Sequence, residues 1–234
     1  MTGSGASRLR IWAIGWVKSI AVALVVWFAL STFLVKAFRI TSGSMERTLL
    51  VGDFLFVNKA LYGAEVPFIH KHLPGWRGPA RGDIVVFRSP IEDSVLVKRL
   101  IGLPGDTVSM SGGWLSRNGQ RLEEPYVVRS GLPGGEDYSF PEMQWQAAYL
   151  AGRDSAGYRP TASDWGPLVV PPDSLFMLGD NRDGSRDSRF WGFVPRTNVQ
   201  GSPMVVYFSY DPASWKPLPF ITSIRWRRFL SHPR

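Results

Sequence analysis

An apolar run near the N-terminus constrains this chain more than any other feature. Residues 11–35 are overwhelmingly hydrophobic, and Lys18 is the one charged interruption. The uninterrupted part, residues 19–35, would measure about 26 Å as a helix, slightly less than the roughly 30 Å hydrocarbon core of a bilayer. Trp12 and Trp16 at the interface, with the Lys18 amine reaching towards the headgroups, make up the difference. The run therefore predicts a transmembrane anchor over residues 11–35.

Two other interpretations of this run are weaker. A cleavable signal peptide has a shorter apolar core and ends in small residues, whereas this run leads into Phe-Leu-Val-Lys-Ala-Phe-Arg at residues 33–39. A buried helix of a soluble protein is seldom apolar on every face over this length.

Basic residues flank the run unevenly. Arg8, Arg10 and Lys18 lie towards its N-terminal side, and Lys36 and Arg39 follow it. Because cytoplasmic flanks carry the excess of Lys and Arg, this margin favours a cytoplasmic tail over residues 1–10. The rest of the chain would then lie on the extracytoplasmic side of a bacterial cytoplasmic membrane, as a single-pass protein.

Composition excludes several classes of site. The chain has 234 residues and no cysteine, so disulfides, thiolate metal sites and a cysteine nucleophile are all excluded. The net charge of +8 is compatible with nucleic acid or an anionic membrane surface. We find no helix-turn-helix, zinc-finger or RNP-like pattern in the sequence, so we expect a lipid bilayer rather than nucleic acid as the partner.

The body of the chain has the pattern of a mainly β protein. Short apolar segments at residues 54–58, 84–87, 95–101, 107–110, 114–117, 175–178 and 204–208 are separated by turn residues. Asn118-Gly119 predicts a type I′ hairpin. We expect a catalytic β domain over residues 36–220. Residues 129–166, rich in Gly, Pro and Ser, would form a loop-rich insertion without a core of its own. Residues 221–234 form a basic, aromatic segment, either an interfacial element or a plain surface tail.

A hydroxyl-rich turn follows the apolar run directly. Residues 40–49 place Thr41, Ser42, Ser44 and Thr48 around a glycine, between two apolar stretches. Such a turn can present a side-chain oxygen beside backbone N–H groups, as an acyl-transfer nucleophile requires. An ordinary surface turn has the same composition.

A serine nucleophile needs a base, and the histidines are poor candidates. His70, His72 and His232 have no convincing strand or turn context, and nothing completes a metal site around His70 and His72. Lys98 instead lies in an apolar strand, and burial would lower its pKa enough to make it a base. The competing interpretation is a solvated lysine on an edge strand.

Residues 179–194 form a third polar cluster. Gly, Asp, Asn, Arg and Ser alternate there directly after an apolar strand. The aspartate spacing does not match an EF-hand loop, and the arginines oppose a bound cation. A solvated turn with local ion pairs remains an alternative for this cluster by itself.

These segments together carry a resemblance. In chain order they are Ser42–Met45 with Thr48 and Leu49, Gly82–Val85, Val97–Asp106, Gly179–Asp183, Ser185, Asp187–Arg189, and Trp191 with Gly192. With the preceding apolar run they resemble bacterial type I signal peptidase, the Ser/Lys membrane protease. The resemblance covers nearly all of the chain except the insertion. It implies a β-rich body of coiled sheets whose active site faces the membrane, with no metal and no cofactor.

The resemblance also implies catalytic roles. Ser44 would be the nucleophile and Lys98 the general base, while Ser185 would orient the lysine amine. The Ser42 hydroxyl and the Ser44 backbone N–H would form the oxyanion hole.

The surrounding residues take roles from the same resemblance. Asp187 and Arg189 would brace the wall of the site by an ion pair. Four residues would line shallow pockets for small substrate side chains at the −1 and −3 positions: Ile40, Met45, Leu49 and Val97. The expected partners are signal-peptide-bearing precursors cleaved after Ala-X-Ala, and we expect a monomer.

Two positions depart from the family pattern. Family members usually have proline where Arg47 stands and asparagine where Gly184 stands. Neither departure removes a reacting group, so we expect activity. The alternatives are a self-cleaving repressor-type Ser/Lys protease, which would need a DNA-binding segment, and a non-catalytic, membrane-anchored β module.

Overall fold

In the computed structural model, residues 4–63, 65–66, 71–129, 139–152 and 155–233 are described. A long N-terminal helix, α1 (Ser4–Phe33), leads into the first strand, β1 (Val35–Arg39). The predicted anchor of residues 11–35 thus falls mostly on α1, although its last residue already belongs to β1. Among the described residues, no helix combines the length and the apolar character needed to cross a membrane.

The rest is built mainly from β-strands. The strands are β2 (Asp53–Asn58), β3 (Glu65–Val66), β4 (Lys71–His72), β5 (Ile84–Arg88), β6 (Val95–Gly102), β7 (Thr107–Ser111), β8 (Trp114–Arg117), β9 (Gln120–Arg121), β10 (Trp165–Val169), β11 (Ser174–Leu178), β12 (Val194–Pro195) and β13 (Val199–Ser209). Short α-helices span Ser188–Trp191 (α2) and Pro219–Thr222 (α3), and 3₁₀ turns span Gly43–Met45, Pro141–Tyr149, Arg196–Asn198 and Trp226–Arg228.

A seven-stranded sheet forms the framework, in the order β1-β2-β13-β5-β6-β11-β12. Bulges interrupt the pairing of β13 with β2 between Pro203 and Val205 and again between Val206 and Phe208. Bulges increase the twist of a strand, so this long strand can curve the sheet. A second sheet has the order β10-β7-β8-β9. The expected mainly β, coiled-sheet body is therefore confirmed.

The central strand β5 shows why the sheet is buried on both faces. Ile84 and Val86 lie in one hydrophobic cluster with Leu55 and Val57 of β2. Val85 and Phe87 lie in another, with Leu100 and Met177. Because successive side chains of a strand point to opposite faces, the continuous apolar sequence of β5 serves two cores. Its neighbour β6 pairs with β5 along residues 95–99 and, on its other side, with β11 at residues 99–102.

The predicted hairpin is also observed. Asn118 and Gly119 both adopt positive φ, 53° and 76°, as a type I′ turn requires. Arg117 pairs with Gln120 across the turn.

Residues 129–166 were expected to form an insertion without a core of its own. Their described parts are largely loop, but Met143, in a 3₁₀ turn, and Trp165, at the start of β10, join the cluster that packs the second sheet. Residues 130–138 and 153–154 lie outside the described part of the chain.

Candidate active site

The turn that carries Ser44 is held between β1 and β2. The 3₁₀ turn Gly43–Met45 is followed by backbone hydrogen bonds from Glu46 N to Gly43 O and from Leu49 N to Met45 O, at 3.0 and 2.8 Å. Met45 and Leu49 are buried in the cluster shared with β2. These two apolar anchors fix the turn while Ser44 keeps a small exposed fraction, 7 %.

Lys98 reaches Ser44 from the neighbouring part of the sheet. Its Nζ lies 2.6 Å from the Ser44 Oγ, close enough for direct proton transfer. Lys98 is only 3 % exposed, so the solvated edge-strand interpretation does not hold. Burial lowers the pKa of the Lys98 amine, and the negative charges of Asp187 and Asp180 offset part of that change. The amine is therefore more easily neutral than that of an exposed lysine.

Ser42 lies beside the nucleophile. Its hydroxyl oxygen is 3.4 Å from the Ser44 Oγ, and the residue itself is exposed. A hydroxyl at this position can donate to an oxygen bound near Ser44.

The loop after β11 forms the opposite wall of the site. Asp187 is fully buried, and Arg189 donates to its two oxygens from Nε at 2.8 Å and from Nη2 at 2.9 Å. Burial raises the pKa of the Asp187 carboxyl. The charge and hydrogen bonds of Arg189, together with the Gly179 N–H and the nearby Ser185 hydroxyl, lower it by more, so the net pKa lies below the ordinary value. Asp187 also accepts from the N–H of Gly179, at 3.1 Å. The predicted ion pair is thus present, and it ties the loop to the end of β11.

Ser185 is buried within this loop. Its side chain packs against Gly179, where an added Cβ would lie 2.3 Å from the Ser185 Oγ and 2.5 Å from the Ser44 carbonyl oxygen. Only glycine leaves room for this contact between the loop and the nucleophile turn. Among the described residues, the Ser185 hydroxyl has no hydrogen-bond partner, so the predicted bond to the Lys98 amine is not formed.

A buried network that the sequence did not predict joins the same loop to the nucleophile turn. Asp180 accepts two hydrogen bonds from Arg99, at 2.8 and 2.6 Å, and one from the Thr48 hydroxyl, at 2.6 Å. Arg99 follows Lys98 directly in β6. The network therefore connects the strand that carries Lys98 to the turn that carries Ser44. The clue in the sequence was an arginine in an apolar strand, since a buried guanidinium requires a carboxylate.

Asn181 adds a second connection. Its backbone N–H donates to the Ser44 carbonyl at 3.1 Å, and its side-chain amide donates to the Gly43 carbonyl at 3.2 Å. Its side-chain oxygen accepts from the N–H of Gly184, where an added Cβ would lie 2.6 Å from the Asn181 amide nitrogen. Glycine at position 184 therefore fits the Asn181 side chain as it is placed here.

A groove of about 260 Å³ opens from the dyad. Ile40, Met45 and Val97 line it, together with Ser42, Ser44 and Lys98. Leu49 does not line the groove, because its side chain is fully buried in the core behind the turn. Its predicted contact with substrate is therefore replaced by a packing role.

The remaining candidates do not meet in one site. His70 and the side chain of His72 lie outside what the structure describes. The ring Nδ1 of His232 lies 2.8 Å from the Met204 carbonyl oxygen. In the described part of the chain, no group of His, Asp or Glu side chains could hold a metal ion.

Several known proteins are similar to this chain in sequence. The family model described as signal peptidase, peptidase S26, matches residues 13–208. Signal peptidase I of Pseudomonas aeruginosa is 36% identical over 215 residues, covering 86% of this chain and 75% of that protein. Signal peptidase I of Aquifex aeolicus is 31% identical and covers 86% of each chain. A crystal structure of a signal peptidase I from Enterococcus faecalis V583 is 31% identical and covers 54% of this chain and 97% of that one, with a TM-score of 0.35. The chain therefore belongs to the signal peptidase family, peptidase S26, and is a serine peptidase of the signal peptidase I type.

Proposed function

We propose that this protein removes signal peptides through a Ser44–Lys98 dyad. The observation that carries the proposal is the 2.6 Å separation of the Lys98 Nζ and the Ser44 Oγ in a buried setting. A hydroxyl is a weak nucleophile until an adjacent base takes its proton. A neutral amine at this distance is such a base.

The reaction follows from this arrangement. As the Ser44 Oγ attacks the scissile carbonyl carbon, its proton passes to Lys98, and a tetrahedral intermediate forms. The Ser42 hydroxyl and the Ser44 N–H would stabilise its oxyanion. The Lys98 ammonium then protonates the departing amine, and an acyl-enzyme remains on Ser44. Lys98 removes a proton from the water that hydrolyses this ester.

Ser185 and the Asp187–Arg189 pair act as positioning residues. The Ser185 hydroxyl, buried and without a partner in the described structure, would accept a hydrogen bond from the Lys98 amine once substrate closes the site. The ion pair holds the wall from which Ser185 projects.

Strand pairing explains how an extended substrate would bind. The strand β11 runs alongside β6 only at residues 99–102, whereas β5 pairs with β6 along residues 95–99. The edge of β6 at residues 95–98 therefore faces the groove, and residues 40–42 face it from the other side. An extended peptide can add as a strand to such an edge. The small volume, lined by Ile40, Met45 and Val97, favours small side chains at −1 and −3, as in Ala-X-Ala.

The helix α1 would anchor the enzyme in the membrane. Its described side chains, including Trp12, Val17, Val25 and Trp27, are exposed at 66 %, 66 %, 68 % and 66 %. An exposed apolar helix needs a cover, and a bilayer supplies one. Residues 36–44 span at most about 30 Å, so Ser44 would lie near the extracytoplasmic surface. A precursor held by its own apolar segment would meet the site there, with the enzyme acting as a monomer.

Cleavage of a signal-bearing precursor by purified variants tests the dyad. We expect Ser44→Ala and Lys98→Arg to lose activity by at least about 10³-fold, because the first lacks the nucleophile and the second stays protonated. Ser94→Ala is the matched control, since this serine lines the same groove but donates to Glu92. Normal cleavage by folded Ser44→Ala would reject the proposal.

A further inference from the structure

A second pocket lies behind the nucleophile turn and has no role in the proposed reaction. It measures about 300 Å³ and is lined by Arg47, Thr48, Tyr126, Arg228, Ser231, His232 and Pro233. We call it the C-terminal pocket. Its volume is at the small end of ligand-binding cavities. Among the described residues, two arginines and a histidine contribute to the lining, and no carboxylate side chain does.

The charges around this pocket leave it positive. Arg228 is neutralised by Asp53, which accepts from its Nε at 2.8 Å and is fully buried behind it. Arg228 Nη2 also donates to the Thr48 carbonyl, at 3.0 Å. Tyr126 donates its hydroxyl to Glu124, whose carboxylate is paired in turn with Arg182. Asp53 and Glu124 therefore already have cationic partners. So does Asp180, which accepts from the Thr48 hydroxyl and pairs with Arg99.

Arg47 supplies the positive charge that remains. It is exposed, and no ion pair involves its guanidinium among the described residues. The Nη1 of Arg228 likewise makes no hydrogen bond within the described chain. Two guanidinium groups with free donors thus border one small cavity. The Arg47 guanidinium can match the oxygens of phosphate in fork-like, two-bond geometry. Arg228 can add donors from its Nη1 alone, because its Nε and Nη2 are held by Asp53 and Thr48.

We infer that the C-terminal pocket binds a phosphate group, held mainly by Arg47 and Arg228. The bound anion would join the nucleophile turn, through Arg47 and Thr48, to the C-terminal segment that carries Arg228 and His232. A lipid headgroup and a free phosphate share this chemistry. Since the pocket is separate from the dyad, the inference stands or falls independently of the proposed peptidase mechanism.

Thermal unfolding of the full chain in zwitterionic detergent tests the inference. At constant ionic strength, replacing chloride by inorganic phosphate should raise Tm by about 2–4 °C, because a ligand of the folded state stabilises it. Arg47→Gln should weaken phosphate binding about tenfold or more, and Arg47→Lys, which keeps the charge but loses the fork, should weaken it less. Both substitutions keep a Cβ at this backbone position, so neither alters the backbone strain.

The control is Arg227→Gln. It removes an exposed arginine that lies next to Arg228 in the 3₁₀ turn Trp226–Arg228 but does not line the pocket. It should behave like the wild type. A second series replaces phosphate by phosphatidylglycerol in the micelles. A rise in Tm with lipid alone would identify a headgroup as the ligand, and a rise with phosphate alone would identify a free ion. Either result supports the site if Arg47→Gln abolishes the rise. An equal shift in wild type and Arg47→Gln, or no shift in either series, would overturn the inference.

Discussion

Lys98 combines two properties that normally oppose each other, a polar reacting group and almost complete burial. A lysine that is 3 % exposed loses hydration that would favour its charged form, so burial lowers its pKa from the ordinary value of 10.5. Asp187 and Asp180 limit this change.

The pH dependence of cleavage should report this amine. Only unprotonated Lys98 can accept the Ser44 proton, so kcat/KM should rise with pH through an inflection below that of an ordinary lysine. The sign follows because a lowered pKa moves the neutral form towards lower pH. Initial rates on a peptide substrate from about pH 5 to about pH 9 provide the measurement. A flat profile across that range would contradict a lysine base.

Arg47 lies two residues beyond Met45 in an unusual conformation. Its φ is 78°, in the left-handed region that side chains with a Cβ seldom adopt. Proline, common in the family at this position, has φ near −65° and cannot adopt that conformation. Arg47, which replaces the usual proline, therefore has a backbone conformation that proline could not adopt.

Opposite effects are expected from two substitutions at this residue. Arg47→Gly should raise the free energy of unfolding by up to about 1 kcal/mol, since glycine adopts positive φ without strain. Arg47→Pro should lower it by more than about 1 kcal/mol and reduce cleavage, because the turn must rearrange. Urea unfolding of both variants checks this. A proline variant as stable and active as the wild type would show that the turn does not need positive φ.

At the scale of elements, the C-terminal segment belongs to the β body. The first part of β13 pairs with β5, at Val199 and Gly201. Further along, Val206 exchanges backbone hydrogen bonds with Leu230 and Ser231, at 2.8 and 2.9 Å. The segment therefore pairs with the part of the β13 edge that β5 leaves open. A plain surface tail would not form these hydrogen bonds.

Arg228 links this segment to β2, and its loss should be costly. Arg228→Gln leaves the buried Asp53 carboxylate with hydrogen bonds from Ser209 and the Leu50 N–H but without a counter-charge. We expect the free energy of unfolding to fall by about 2–4 kcal/mol, because breaking a buried ion pair leaves an uncompensated charge.

Chemical denaturation of Arg228→Gln, compared with that of Arg227→Gln, measures this effect. The exposed Arg227 should contribute less than about 0.5 kcal/mol. Equal losses in the two variants would mean that the Asp53 pair does not hold the segment in place.

At the scale of the molecule, the site lies where two parts of the framework meet. The nucleophile turn belongs to the core under β1 and β2, while the opposing loop begins at the end of β11. The Arg99–Asp180–Thr48 network joins them. The distance between Ser44 and Lys98 thus depends on the sheet, and this network contains no residue of α1.

Removal of residues 1–33 should accordingly separate catalysis from tethering. We expect the shortened protein to keep its β circular dichroism and its cleavage of a water-soluble peptide within about threefold. Cleavage of a precursor in vesicles should fall by at least about 100-fold, since tethering raises effective concentration. Loss of the soluble-peptide activity in a folded variant would show that α1 does more than anchor.

Much of the fold could be predicted from local pattern. Alternating and continuous apolar segments located five of the seven strands of the large sheet but missed β1 and β12. Asn118-Gly119 located a hairpin. Strand period and turn chemistry are properties of a few neighbouring residues, which is why local pattern can predict them. Motif order identified Ser44 and Lys98 as the pair to examine. Their roles, and those of Ser42, Ser185, Asp187 and Arg189, stay predictions until variants are measured.

What the sequence alone determined about this protein is therefore its element types, its family resemblance and its candidate reacting groups. Only the tertiary structure decided that Leu49 faces the core and not the groove, that Asp180 pairs with Arg99 and Thr48, and that the C-terminal segment covers β13. Each of these depends on contacts between residues distant in the chain. Such contacts are selected by packing and by the need of buried charges for partners, which no local pattern records.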